Sequence, residues 1–142
     1  MAEAPACVFC AIVAGRAAAS IVHRDALCTA FMTIEPLAIG HTLVVPNAHA
    51  TDLAELPSAS AGHLFQVAQR IVAAQRASTL RCEGANLLMC DGAAAGQTVF
   101  HVHLHVSPRH AGDGIVMPHA AGPAARAELD AAAAALRSAL AT

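Results

Sequence analysis

The sequence predicts an α+β fold whose strands form an antiparallel sheet, and three observations support this. The chain has 142 residues, which suits one domain because compact domains cluster near about 100–150 residues. Helix-like and strand-like segments follow one another as helix, hairpin, strand, helix, hairpin, with a further helix at the end. Most connections between strands are shorter than the roughly twelve residues that a parallel crossover needs, so neighbouring strands should run antiparallel.

The first half of the chain supplies a helix, a hairpin and a buried strand. In order, the predicted segments are a helix over 7–14, strands over 20–24 and 26–33, a strand over 41–46 and a helical turn over 53–56. Gly15 suits the position just after a helix. Asp25 separates two β-rich runs, which is typical of a hairpin. Pro46 should end the third strand, since proline cannot donate to a ladder.

The second half supplies a long helix, a hairpin and a terminal helix. The predicted segments are a helix over about 59–81, strands over 86–90 and 97–107, an irregular stretch over 111–123 and a helix over about 124–141. Ser58 can cap the long helix, and Pro108 should end the last strand. The long helix carries an apolar stripe of Leu64, Val67, Ala68, Ile71 and Ala74. The terminal helix carries Leu129, Leu136 and Leu140 on one side.

Composition excludes several classes of function. The formal net charge is −2 and the eight basic residues are scattered arginines, so we expect no nucleic-acid partner. No apolar run approaches the roughly 20 residues of a membrane span, and the N-terminus lacks a basic start and an apolar signal core. Five cysteines, an odd number, favour reduced thiols or metal ligands over a disulfide framework. We therefore expect a cytoplasmic protein without a membrane partner.

Three histidines alternate with apolar residues between Phe100 and Val106. On a strand this spacing places His101, His103 and His105 on one face and the apolar residues on the core face. A solvent-facing polar row or a zinc-binding His-x-His pair would fit as well. Neighbouring histidines lie about 6.6–7 Å apart along a strand, so one ion could not easily bind all three. Imidazole can instead act as a nucleophile or an acid–base group near neutral pH.

A loop of small residues leads directly into this strand. Residues 92–96 are glycine and alanine, which allow backbone N–H groups to approach an anion closely. Gln97 and Thr98 add side-chain donors at the end of the loop. The combination favours phosphate chemistry.

Residues 96–109, Gly-Gln-Thr-Val-Phe-His-Val-His-Leu-His-Val-Ser-Pro-Arg, resemble the signature of the histidine triad (HIT) family of nucleotide hydrolases and transferases. The segments 7–15 and 36–46 extend the resemblance, which covers about residues 7–114. It implies a half-barrel of five antiparallel strands that pairs into a homodimer with a ten-stranded sheet. It also implies a purine nucleotide substrate, either a nucleoside phosphoramidate or a dinucleoside polyphosphate, and no organic cofactor.

The resemblance further assigns roles to individual residues. His103 would attack the α-phosphorus and form a nucleotidyl-histidine, which water would hydrolyse. His105 would hold the phosphate oxygens and assist the leaving group. The implied substrate-binding residues are Thr33, His41, Cys90, Gly96, Gln97, Thr98 and Val99. One ring nitrogen of His103 must be free of its proton, so we expect the other to donate to a backbone carbonyl.

Cys7-x-x-Cys10 has the spacing of metal ligands, although two ordinary thiols or a redox pair would share it. The family resemblance adds His49 and His101, completing a Cys2His2 set. It therefore implies a structural zinc ion that fastens the N-terminal helix to the histidine strand.

Two positions depart from the family pattern. Thr33 stands where Asp or Asn usually binds the ribose, and Cys90 replaces an Asn or Gln near the phosphates. Glu35 is the residue that could reach the ribose instead. These losses motivate an alternative function, a nucleotide-binding regulatory module with little turnover.

Overall fold

The computed structural model describes residues 6–142, and the predictions about the first five residues lie outside that range. The described elements are α1 (Val8–Val13), β1 (Ile21–Arg24), β2 (Cys28–Met32), β3 (Thr42–Pro46), α2 (Ser58–Ala77), β4 (Gly84–Leu88), β5 (Leu104–Arg109) and α3 (Arg126–Leu140). The five strands form one sheet in the order β1-β2-β3-β5-β4. Every neighbouring pair is antiparallel, which confirms the predicted fold class.

The sheet separates two apolar clusters. On one face, α2 packs on Cys28, Val44 and the apolar residues of β5. On the other face, Phe9 and Ile12 of α1 pack against residues of β2 and β3. The predicted alternation near the last strand is confirmed, because Val102, Leu104 and Val106 belong to the α2 side.

The last strand is shorter than predicted. It begins at Leu104, not at residue 97. The reason is that the backbone before it leaves the ladder, with the N–H of Val102 donating to the carbonyl of Ala50 at 2.8 Å. Pro108 lies inside the strand and not at its end, because only β4 pairs with β5 there, at Ala85.

The long helix also differs from the prediction at both ends. Ser58 is its first residue, and the cap position is held by Pro57 with no side-chain bond. The helix ends at Ala77 because Ser78 is extended and its hydroxyl donates to the carbonyl of Gln75 at 2.9 Å.

The buried stripe of α2 ends on a polar residue. Leu64, Val67, Ala68 and Ile71 are buried as predicted, but Ala74 is exposed. Gln75, four residues after Ile71 and therefore on the same face, is only 3% exposed. Its Nε2 donates to the carbonyls of Gly40 at 3.1 Å and Val106 at 3.2 Å.

The C-terminal helix stands apart from the sheet. None of the residues of α3 is buried, and Leu136 and Leu140 are 65% and 84% exposed. Within residues 6–142, no helix is both long and apolar enough to cross a membrane.

Candidate functional site

A cleft of about 810 Å³ opens on the α1 face of the sheet. Its apolar wall includes Phe9, Ile12, Phe31 and Leu43. Its polar residues are Ser20, Thr33, Glu35, His41, Thr98, His103 and His105. One cavity therefore combines a surface for an apolar ring with three imidazoles.

His103 has a defined tautomer. Its Nδ1 lies 2.8 Å from the carbonyl oxygen of His101, and a carbonyl can only accept, so Nδ1 carries the proton. The Nε2 atom of the neutral ring is then free of a proton, which is the state that a nucleophile requires. This contact was expected from the sequence. The edge of Phe9 packs on the ring at 5.2 Å between centroids, and His103 is 7% exposed.

His41 and His105 form a hydrogen-bonded pair of imidazoles in the same cleft as His103. The backbone N–H of Leu37 donates to Nδ1 of His41 at 3.1 Å, so the proton of His41 is on Nε2. That atom lies 2.9 Å from Nδ1 of His105, which must accept. His105 therefore carries its own proton on Nε2, as a hydrogen-bond donor.

Burial favours the neutral form of both His41 and His105. It lowers the pKa of His41. Burial, together with the nearby rings of His103 and His41, lowers the pKa of His105 to about 4. The ring centroids of His103 and His105 are 4.9 Å apart, so an imidazole with a basic Nε2 and a neutral donor lie side by side in the cleft.

The loop before the histidines is built differently from our expectation. Of the three residues 97–99, which we predict to bind substrate, Thr98 and Val99 line the cleft and Gln97 does not. Its side chain is 5% exposed; its Oε1 accepts from the N–H of Gly92 at 2.7 Å and its Nε2 donates to the carbonyl of Thr51 at 2.8 Å. The amide of Gln97 thus holds the loop closed and is not available as a direct donor to phosphate.

Of the remaining residues that we predict to bind substrate, some line the cleft and others do not. Thr33 lies on the cleft wall beside Glu35, whose N–H donates to the Thr33 hydroxyl at 3.4 Å. Gly96 and Cys90 lie outside the lining. Gly96 has a φ of 92°, a backbone conformation that glycine adopts without strain, so it contributes to the form of the loop.

A second group of side chains joins α1 to the histidine segment. Ligand atoms of Cys7, Cys10, His49 and His101 all lie within 4.8 Å of one another. The Nδ1 atom of His101 is 3.4 Å from Sγ of Cys7, 3.6 Å from Sγ of Cys10 and 3.2 Å from Nδ1 of His49. The structure thus brings together all four predicted metal ligands, and they could bind a metal ion.

These distances fit a tetrahedral ion. Zinc bound at about 2.3 Å to sulfur and 2.0–2.1 Å to nitrogen holds neighbouring ligand atoms roughly 3.3–3.8 Å apart. The ring of His101 is oriented for this role, since its Nε2 lies 2.8 Å from the carbonyl oxygen of Pro46, leaving Nδ1 free of a proton. Burial lowers the pKa of His101 to about 4, which favours the neutral form that binds metals.

Sequence reasoning missed two contacts that connect these groups. Phe9 packs against His101 as well as His103, at 5.9 and 5.2 Å between ring centroids. The direct bond between His41 and His105 was also not foreseen, because the two residues are 64 positions apart. Only the shared sheet, in which Leu43 pairs with His105, brings these segments together.

Comparison with known proteins places these features in a wider group. The sequence matches the HIT domain family over residues 14–112. A HIT-like protein of Mycobacterium tuberculosis is 45% identical over 107 residues, which cover 75% of this chain and 74% of that protein. The adenylylsulfatase HINT3 of Arabidopsis thaliana is 35% identical over 107 residues, covering 72% of this chain and 52% of that one.

A solved structure shows the same fold. The crystal structure of a Zn-bound histidine triad family protein from Mycobacterium smegmatis has a TM-score of 0.77 and 43% identity to this chain. The alignment covers 94% of this chain and 97% of that one.

Proposed function

The chain belongs to the HIT domain family, and on that premise we propose that it is a nucleotide hydrolase or transferase that forms a covalent intermediate on His103. The substrate is a purine nucleoside phosphoramidate or a dinucleoside polyphosphate, cleaved at the α-phosphorus. The contact of 2.8 Å between Nδ1 of His103 and the carbonyl of His101 carries the proposal, because it leaves Nε2 basic beside the cleft.

In the first step, Nε2 of His103 attacks the α-phosphorus in line with the leaving group. A phosphorus–nitrogen bond forms, and the bond from phosphorus to the leaving group breaks with its electron pair on the leaving group. A phosphate leaving group departs as an anion, whereas an amine takes a proton from water. The nucleotidyl imidazolium keeps its Nδ1 proton on the carbonyl of His101, which stabilises the positive charge.

In the second step, water attacks the phosphorus and the phosphorus–nitrogen bond breaks. Its electron pair returns to Nε2 of His103, and the water proton leaves with the nucleoside monophosphate or to solvent. His105 donates from Nε2 to a non-bridging phosphate oxygen in both steps. It can do so without changing charge, since His41 fixes its tautomer.

The cleft offers a binding region for each part of a nucleotide. The apolar wall of Phe9, Ile12 and Phe31 suits a purine ring. Thr33 and Glu35 lie where a ribose would follow, and the backbone and hydroxyl of Thr98 would face the phosphates. The relative named adenylylsulfatase supports a purine substrate.

We also propose that the four-residue cluster holds zinc as a structural ion. Cys7, Cys10, His49 and His101 would bind it, and when bound the ion would link α1 to the histidine segment. The Zn-bound relative supports this assignment.

The same family membership leads us to propose a homodimer with a continuous ten-stranded sheet. Such a sheet needs two copies of one edge strand, and β1 and β4 are the edges. We favour β4 because β1 has a register shift between Ile21 and His23, and irregular edges resist pairing.

A quenched reaction tests the chemistry. Protein is mixed with adenosine phosphoramidate or diadenosine polyphosphate, stopped with acid within one turnover and digested for mass spectrometry. We expect an added adenylyl mass on the peptide that contains His103, and none in His103→Asn. Bound nucleotide without adduct or product would reject catalysis and favour the alternative, a nucleotide-binding module.

A further inference from the structure

Two histidines and an aspartate converge on the α2 side of the sheet, away from the cleft. Nε2 of His23, in β1, and Nε2 of His63, in α2, each lie 2.7 Å from the same oxygen, Oδ2 of Asp25. None of the three residues lines the cleft.

The aspartate is held in place by its other oxygen. Oδ1 of Asp25 accepts from the backbone N–H groups of Leu27 at 2.8 Å and Cys28 at 2.9 Å, so the hairpin turn fixes the carboxylate. Oδ2 is left to the two imidazoles and to the thiol of Cys28, whose Sγ is 3.7 Å away. Ligand atoms of His23, Asp25 and Cys28 lie within 4.8 Å of one another.

We propose that His23, Asp25 and His63 form a second binding site for a divalent transition-metal ion such as zinc, with Cys28 as the nearby fourth donor. Two imidazoles and a carboxylate are a ligand set that zinc uses in proteins. The side chains come from three different segments, and an ion bound there would join the β1–β2 hairpin to α2.

The site is accessible and adjustable. The side chain of His23 is 23% exposed, and those of Asp25 and His63 are 28% exposed, so an ion can enter from solvent. Binding would replace the two imidazole protons on Oδ2 and lengthen both Nε2–Oδ2 distances from 2.7 Å to roughly 3.3 Å. The ring of His63, which is not in the group of ligand atoms within 4.8 Å of one another, would move towards His23 and Cys28. Both rings can move their proton to Nδ1, because the described residues make no hydrogen bond with that atom of His23 or His63.

Zinc titration of the purified chain tests this proposal. Native mass spectrometry counts the ions bound, and calorimetry follows uptake after the Cys7–Cys10 cluster is filled. We expect one further equivalent in the wild type, with affinity weakened by about tenfold or more in His63→Gln and in His23→Gln. Circular dichroism verifies that both variants fold, and His119→Gln, at an exposed histidine, is the matched control.

The outcomes are separable. The proposal fails if, up to millimolar zinc, the wild type binds no ion outside the Cys2His2 cluster, or if the two variants bind that ion as tightly as the wild type does. The variants His23→Gln and His63→Gln leave the Cys2His2 cluster unchanged. The test therefore holds whether or not that cluster binds zinc.

Discussion

The carbonyl oxygen of His101 determines which nitrogen of His103 is basic, and the N–H of Leu37 does the same for the His41–His105 pair. Backbone atoms therefore set the tautomers of three imidazoles, those of His103 and His41 directly and that of His105 through His41. A side-chain substitution at residue 101 or 37 does not remove these backbone atoms. A bond from His103 to a backbone carbonyl could be predicted, because one ring nitrogen of a nucleophile must be free of its proton; which carbonyl accepts it could not. The inward turn of Gln97 could not, since it depends on where Thr51 lies in the folded chain.

Replacement of His103 tests the nucleophile. We expect His103→Asn to lower turnover of a nucleoside phosphoramidate by more than about a thousandfold, because no other residue can take over the covalent step. Steady-state hydrolysis and circular dichroism measure activity and fold, with His119→Asn as the control. Retention of a large share of wild-type turnover would reject the assignment.

Acid should destabilise the protein through His105. The pKa of His105 falls from 6.5 to about 4 on folding, so between these values the unfolded chain binds more protons. Stability is therefore complete above pH 6.5 and decreases as the pH falls towards 4. Urea unfolding at several pH values should show this slope, with a shallower one in His105→Gln than in His110→Gln. Equal slopes in the two variants would contradict the expected role of burial.

At the scale of elements, α1 belongs to two sites at once. Cys10 is one of the four possible metal ligands. Its neighbour Phe9 forms part of the cleft wall and packs on His103. The sequence predicted this helix and its cysteines, but not the aromatic contact, because periodicity does not reveal which side chains meet across a fold. The start of β5 was missed for a similar reason, since a tertiary contact, from the N–H of Val102 to the carbonyl of Ala50, takes the preceding backbone out of the ladder.

Loss of a ligand from the four-residue cluster should therefore also affect nucleotide binding in the cleft. We expect Cys10→Ser to lower the thermal midpoint and to weaken nucleotide binding roughly tenfold, because α1 loses its attachment to His101. Scanning calorimetry and nucleotide titration measure the two effects. Cys82→Ser, distant from α1, is the control, and unchanged nucleotide affinity in Cys10→Ser would show that the two sites are independent.

Gln75, the buried polar residue near the end of α2, should contribute to the stability of the fold. Gln75→Leu removes the donor to the carbonyls of Gly40 and Val106, which should cost about 1–3 kcal/mol. Gln69→Leu, on the exposed side of the same helix, should change stability by less than about 0.5 kcal/mol. Equal unfolding midpoints of the two variants in urea would contradict this role.

At the scale of the whole molecule, the fold class followed from the order of elements and the shortness of their connections. The faces of the sheet followed from the alternation of apolar residues. The exposure of α3 did not, because a row of leucines shows that a surface is apolar but not what it contacts. The edge strands of the sheet likewise became known only from the strand order.

Assembly tests the proposed edge pairing. Leu88 on β4 is 44% exposed and Val22 on β1 is 49% exposed. In sedimentation experiments the wild type should have the mass of two chains, and Leu88→Lys should shift it towards one, since a charge on an edge opposes pairing. Val22→Lys should remain dimeric. A monomer in Val22→Lys alone would instead place the interface at β1.

His101 serves two sites through different atoms, with its ring in the metal cluster and its carbonyl on His103. These contributions can be inherited separately. A relative with alanine at position 101 would lack one of the four possible metal ligands yet could keep the carbonyl contact that sets the tautomer of His103, because every amino acid has a backbone carbonyl. The protonation of His103 therefore depends on the backbone of residue 101, whereas occupancy of the four-residue cluster would depend on its side chain.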